Sequence, residues 1–170
     1  MRLAVATLVL MTGSVVQANE YGKILIFSDA AFTDSTLVDN GPRIANIYIV
    51  HADFSDATGV SFRTEASAGF TGVWLGETSP WSPYFVGTTP TGASVSYAKC
   101  VLEDVLLFTV TYQLFGTSSP CSDLHVAARP ISSDCHFFDW YSDTGGLHVN
   151  CPVAVEQTTW GRVKALYAGR

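Results

Sequence analysis

Asp104-Val-Leu-Leu-Phe-Thr-Val-Thr-Tyr-Gln-Leu-Phe115, DVLLFTVTYQLF, decides the fold. Leu106, Phe108, Val110, Tyr112 and Leu114 alternate with Val105, Leu107, Thr109, Thr111 and Gln113. The first set is wholly apolar, and the second turns polar toward its end. A period of two over this length is a strand, and a strand apolar on one face belongs inside a sheet that packs on that face.

Working outward, the same pattern recurs in Lys23–Asp29, Arg43–His51, Gly59–Thr64, Thr71–Leu75, Ala93–Lys99, Asp123–Arg129, His136–Tyr141 and Gly146–Asn150. These runs favour Val, Ile, Phe and Tyr, which suit a pleated, half-buried surface. Turn chemistry separates them, as in ETSPWSP and GTTPTG. Short strands without long helical patterns between them predict an all-β fold, an antiparallel β-sandwich of about eight or nine strands. The end differs. Trp160, Val163, Leu166 and Tyr167 fall at helical spacing behind Thr159, which can cap, so a short C-terminal helix is expected over about 159–168.

The opening MRLAVATLVLMTGSVVQANE carries Arg2, an apolar run from Leu3 to Leu10, and small residues up to Ala18. That predicts a signal peptide over 1–18, with Asn19 to Arg170 left as a single domain. The apolar run is too short to span a bilayer, so no membrane span is expected after cleavage. The expected location is secreted, periplasmic or at the cell surface. Nine Lys+Arg, one of them Arg2 in the leader, face fifteen Asp+Glu. An acidic chain without a basic run is repelled by phosphate backbones, which argues against nucleic acid as a partner.

Cys100, Cys121, Cys135 and Cys151 lack the paired CxxC of a zinc ribbon, and an even number in an exported chain reads as disulfides. In CHFFDWYSDTGGLHVNC, Cys135 to Cys151, the flanks can pair as a hairpin about the SDTGG turn. That pairs Cys135 with Cys151, closing a loop of about 15 residues worth roughly 3 kcal/mol, and leaves Cys100 with Cys121. The competing map joins Cys100 to Cys135 and Cys121 to Cys151. Local closure favours the first.

Several motifs in the sequence resemble those of a known group. IFSD near the start, YIVH followed by GVSF, and the closing TTWGRVKALY resemble a group of uncharacterised secreted proteins from environmental bacteria. The resemblance implies an exported β-sandwich domain and transfers no catalytic residues. The strand pattern alone also resembles cohesin-type sandwiches.

Each residue with site chemistry also has an ordinary structural role open to it. Trp81 and Tyr84, in a Pro-rich loop, and Trp140 are the aromatics that could stack on a sugar, whereas Trp74, in an apolar strand, reads as core. Asp29, Asp34 and Asp39 recur in loops that would admit calcium, though not at EF-hand spacing, and otherwise no cofactor is expected. In the hairpin register His136 and His148 become diagonal neighbours, close enough to share zinc. There is no GxSxG, HExxH or phosphate-cradling glycine loop, and Glu65, Glu77 and Glu103 are the carboxylates a glycosidase would use. The expectation is a non-catalytic binding or scaffolding module with a glycan or another extracellular protein as partner. A carbohydrate-binding module and a small hydrolase are the alternatives.

Overall fold

The computed structural model describes residues 22–127 and 129–152. The expected leader and the expected C-terminal helix lie outside them. Among the described residues there is no helix, and the elements are fourteen strands. They are β1 (Lys23–Phe27), β2 (Thr36–Leu37), β3 (Pro42–Ala52), β4 (Ala57–Phe62), β5 (Thr64–Ala66), β6 (Val73–Thr78) and β7 (Phe85–Thr88). The rest are β8 (Gly92–Val101), β9 (Val105–Phe115), β10 (Ser122–Val126), β11 (Ile131–Ser133), β12 (Asp139–Tyr141), β13 (Asp143–Thr144) and β14 (Gly146–Val149).

One layer runs β13-β1-β3-β9-β6. The other consists of two abutting sheets, β12-β11-β4-β8-β7 and β2-β14-β10-β5. Only Arg63 separates β4 from β5, and the Ala127 N–H donates to the Arg63 carbonyl at 2.8 Å. That bond carries the chain past the β5 edge toward β11, so the two sheets act as one bent layer. Between the layers lie Ile24, Ile26, Ile47, Ile49, Leu107, Phe108, Val110 and Leu114 on one side, and Val60, Phe62, Val95, Leu124, Leu147 and Val149 on the other. Phe108 is wedged edge-on between Phe62 and Phe85, with ring centroids 6.0 and 5.3 Å away.

Strand β9 is central, as its sequence predicts, but its alternation breaks once. The pairing steps from Ile49–Phe108 to Val50–Leu106 and leaves Leu107 unmatched. Such a bulge turns two consecutive side chains to one face. Leu107 and Phe108 are both fully buried while Leu106 is only partly so, which corrects the inward set expected at Leu106.

The hairpin expected between Cys135 and Cys151 does not form. The Asp134 carboxylate accepts the His136 and Phe138 N–H groups at 2.8 and 2.9 Å and the Trp140 indole N–H at 3.1 Å. These bonds curl 134–138 into a tight turn with Phe137 in the left-handed region (φ 65°). The turn folds β12 back on β11, and β14 instead pairs with β10. Burial works against the Asp134 charge. The Phe138, Trp140 and His136 donors outweigh it and hold the carboxyl below the ordinary carboxylate range.

The disulfides follow from these pairings and correct the favoured map. Cys100 is bonded to Cys135 and Cys121 to Cys151, with Cα atoms 5.5 and 4.3 Å apart. Ser122 lies opposite Val149 in the β10–β14 pair, which brings Cys121 to Cys151. Cys100 lies next to the last residue of β8 and Cys135 follows β11, and both of these strands flank β4. Local closure lost because the strand partners are distant in sequence.

Asp39 shows how the loops are held. Its carboxylate, almost fully buried, accepts the Gly116 N–H at 2.6 Å and the Ser118 N–H at 3.0 Å. Its own N–H donates to the Asn150 side chain at 2.7 Å. Burial opposes the charge, and the Ser118, Gly116 and Thr117 donors overcome it, keeping the pKa below the ordinary value. Asp39→Ala, which strands two backbone N–H groups, should cost about 2 kcal/mol, read from the urea midpoint. An unchanged midpoint would show that the loops are held elsewhere.

Candidate functional site

The outer face of the β12-β11-β4-β8-β7 sheet carries two aligned rows. One runs Tyr141, Ile131, Ser61, Ser94 and Val86, each directly opposite the next. The second runs Asp139, Ser133, Gly59 and Ser96, and the Ser96 N–H donates to the Tyr84 carbonyl at 2.8 Å. The first row crosses five strands, about 19 Å at ~4.8 Å per step, and the second crosses four, about 14 Å.

Side-chain size along the rows makes a groove. Its floor holds Thr58, Gly59, Ser61, Ser96, Ala98 and Ser133, and its volume is about 670 Å³. A Cβ at Gly59 would stand 2.7 Å from the Val95 carbonyl, so the floor is closed to larger residues there. Lys99 and Asp139 also line the groove, and Phe137, 82% exposed, forms part of its rim. Past the floor the first row ends on large exposed residues, Tyr141 (60%) on one side and Val86 (70%), next to Tyr84 (54%), on the other. The Arg129 guanidinium stands 5.7 Å from the Tyr141 ring centroid, which steadies that rim. The Cys100–Cys135 bridge borders the groove and ties the 134–138 turn to β8.

Behind the groove lies a polar chain that sequence reading missed. His51 on β3 is fully buried. Its Nδ1 is 2.9 Å from the Tyr97 hydroxyl and its Nε2 is 3.0 Å from Ser132 Oγ. Ser132 Oγ is in turn 2.5 Å from Ser142 Oγ, and Phe54 stacks on the imidazole at 4.2 Å. Burial pushes the His51 pKa down to about 4, so the ring is neutral at pH 7. Burial likewise pushes the Tyr97 hydroxyl far above its ordinary pKa. A hydroxyl against an imidazole is the arrangement nucleophilic catalysis uses. Ser132, however, is fully buried, so no substrate can reach it. The chain is a polar staple between the layers, from β3 to β8 and β11. YIVH reads as an ordinary strand end, and no local signal marks its histidine as buried.

The aromatics singled out in the sequence do not form one platform. Trp81 turns inward: its indole N–H donates to the Leu106 carbonyl at 2.8 Å and its ring lies 4.6 Å from that of Tyr97. It covers the core end, which corrects its reading as an exposed stacking residue. Tyr84 stands at one rim. Trp140 lies on the opposite face of β12 from Asp139 and Tyr141, by strand alternation, with its indole N–H on Asp134. Trp74 packs against the core, as expected.

The acidic residues suited by type to calcium hold turns. Asp29 accepts the Ala31, Thr33 and Asp34 N–H groups, and these bonds, Asp34 first, lower its pKa. Asp34 accepts the Thr36 N–H at 2.8 Å and hydroxyl at 2.6 Å. Asp39 is engaged as described above. Among the described residues, the one trio of potential ligand atoms within 4.8 Å of one another is Asp56, Cys100 and Cys135, and both sulfurs are spent in a disulfide. His136 and His148, neighbours only in the hairpin that does not form, sit apart: His136 in the 134–138 turn, His148 on β14 opposite Asp123. Glu77 accepts the Thr89 N–H and hydroxyl, Glu65 pairs with Arg63, and Glu103 lies in the β8–β9 turn. The three belong to different parts of the molecule.

No protein-family model matches the sequence, and no curated protein does. Solved structures do match. The cohesin module of a family 33 glycoside hydrolase from Clostridium perfringens superposes with a TM-score of 0.55 at 10% identity, over 78% of this chain and 99% of that one. A cohesin from a type I cohesin–dockerin complex of Clostridium thermocellum gives 0.57 at 9% identity, over 76% and 99%. A non-cellulosomal cohesin from the archaeon Archaeoglobus fulgidus gives 0.55 at 8% identity, over 84% and 97%. At such identities the likeness is one of architecture: the described chain is a β-sandwich similar in fold to cohesin modules.

Proposed function

We propose that the protein is an exported, non-catalytic module that binds another extracellular protein in the groove between Tyr84 and Tyr141. The observation that carries this reading is the pair of rows, with a floor of small residues between exposed apolar rims. Large exposed aromatics around a concave surface are the usual anchors of a protein interface. The fold adds support, since one similar structure is a cohesin in a cohesin–dockerin complex. Two disulfides are in keeping with an oxidising compartment. With Trp81 packed against the core end, the carbohydrate alternative keeps only Tyr84 of its loop aromatics near the groove.

Immobilised protein should retain one partner in stoichiometric amount from the exported proteins of its source organism. It should pass polysaccharide columns without delay and turn over no sugar or ester substrate. Retention on a polysaccharide, or turnover, would overturn the reading.

A further inference from the structure

On the outer face of the other half of the bent layer, four ionisable side chains form a connected set. Asp123 and His125 are two apart on β10 and share its outward face, flanked by buried Ser122, Leu124 and Val126. His148 of β14 lies directly opposite Asp123, and Glu65 of β5 lies directly opposite His125. Directly opposed residues have Cβ atoms about 4.5–5.5 Å apart.

His125 is the informative member. Its Nδ1 is shielded from solvent and has no hydrogen-bond partner. Yet it lies 3.2 Å from Asp123 Oδ2. The two atoms sit side by side without the geometry of a shared proton. Two ligands about 2.1 Å from one ion, at angles between square and tetrahedral, are about 3.0–3.4 Å apart. On the far side of the ring, Nε2 faces Glu65 Oε2 at 3.9 Å, and Glu65 is held by Arg63. A carboxylate behind a ligating histidine, fixing its tautomer and orientation, is the arrangement around protein-bound zinc.

We propose that this face binds a divalent transition metal, zinc in the first instance. His125 Nδ1, Asp123 Oδ2 and His148 are the ligands, and Glu65 is the positioning residue. His148 is exposed and directly opposite Asp123, and rotation of its side chain is what completes the set. Water fills the remaining position. Imidazole and carboxylate donors suit zinc better than the all-oxygen shell calcium prefers. The site differs from the histidine pair expected from the hairpin register in using His125 in place of His136, because β14 pairs with β10.

Titration of zinc chloride alone into the full chain, followed by calorimetry, tests it. One ion per chain should bind with a micromolar dissociation constant. His125→Ala, His148→Ala and Asp123→Asn should each weaken binding by about tenfold or more, and Glu65→Gln by a smaller factor. His136→Ala should leave it unchanged. All these side chains lie at least partly in solvent, and melting curves superposable on the parent's confirm that each variant is folded; a variant that melts early is replaced by the milder His125→Gln or His148→Gln. Absence of saturable binding, or binding that survives loss of both His125 and His148, would overturn the proposal.

Discussion

Replacing Cys100 and Cys135 together by serine is expected to lower the unfolding free energy by about 4 kcal/mol. The bridge spans 35 residues of sequence, and opening it releases that much more of the unfolded chain. Cys121 and Cys151, 30 residues apart, should cost a similar amount when replaced. The two variants part company in function. The first bridge anchors the turn that carries Phe137 at the groove rim, so its loss should also weaken partner binding. The second lies at the other end of the layer and should leave binding intact in the protein that remains folded. Denaturation midpoints of the two double variants read the stability arm. A Cys100→Ser, Cys135→Ser protein that unfolds at the parent's midpoint would contradict the assigned pairing.

Acidification should destabilise the protein well before its carboxylates titrate. His51 ionises near 6.5 in the unfolded chain but only near 4 in the folded one, because burial excludes the charged ring. Above pH 6.5 both states hold a neutral imidazole and stability is at its full value. Between 6.5 and 4 the unfolded chain takes up a proton that the folded chain refuses, so stability falls as pH falls. The loss is complete once pH drops below about 4. A difference of about 2.5 units amounts to about 3 kcal/mol. Asp39 and Asp134, held below the ordinary carboxylate range, then extend the loss to lower pH. Urea midpoints measured from pH 7.5 to 4 should show this slope, and His51→Gln, which does not titrate, should flatten it. An equal slope in that variant would assign the effect to other groups.

How much of this the sequence carried depends on range. The period-two runs of β1, β3, β8 and β9 are local signals, and their faces can be read directly. Strands β2, β7, β11 and β13, two to four residues long, are too short to show a period. The bulge at Leu107 is invisible because it depends on the partner strand. CHFFDWYSDTGGLHVNC misleads for a related reason. Its SDTGG stretch reads as a turn, yet Asp143–Thr144 forms β13 beside β1, Asp134 forms a tight turn within five residues, and β14 finds its partners elsewhere in the chain. The groove is less legible still. Ile131, Ser61, Ser94 and Val86 come from four strands, and only the register aligns them. Tyr84 and Trp140 stand out by residue type, and only Tyr84 reaches the groove rim. Trp81 misleads because its flanking prolines suggest exposure, while its indole N–H finds a backbone carbonyl of β9 inside.

The most direct test of the groove is to fill it. Ser61→Arg and Ser96→Arg place long side chains on the floor, and both positions are exposed, so the fold should tolerate them. Thr111→Arg, on the outer face of β9 in the other layer, is the matched control. With the partner isolated on the parent protein, calorimetric titration should show binding lost in both floor variants and unchanged in the control. Full-strength binding by Ser61→Arg and Ser96→Arg, with loss in Thr111→Arg, would place the interface on the opposite face and contradict the account.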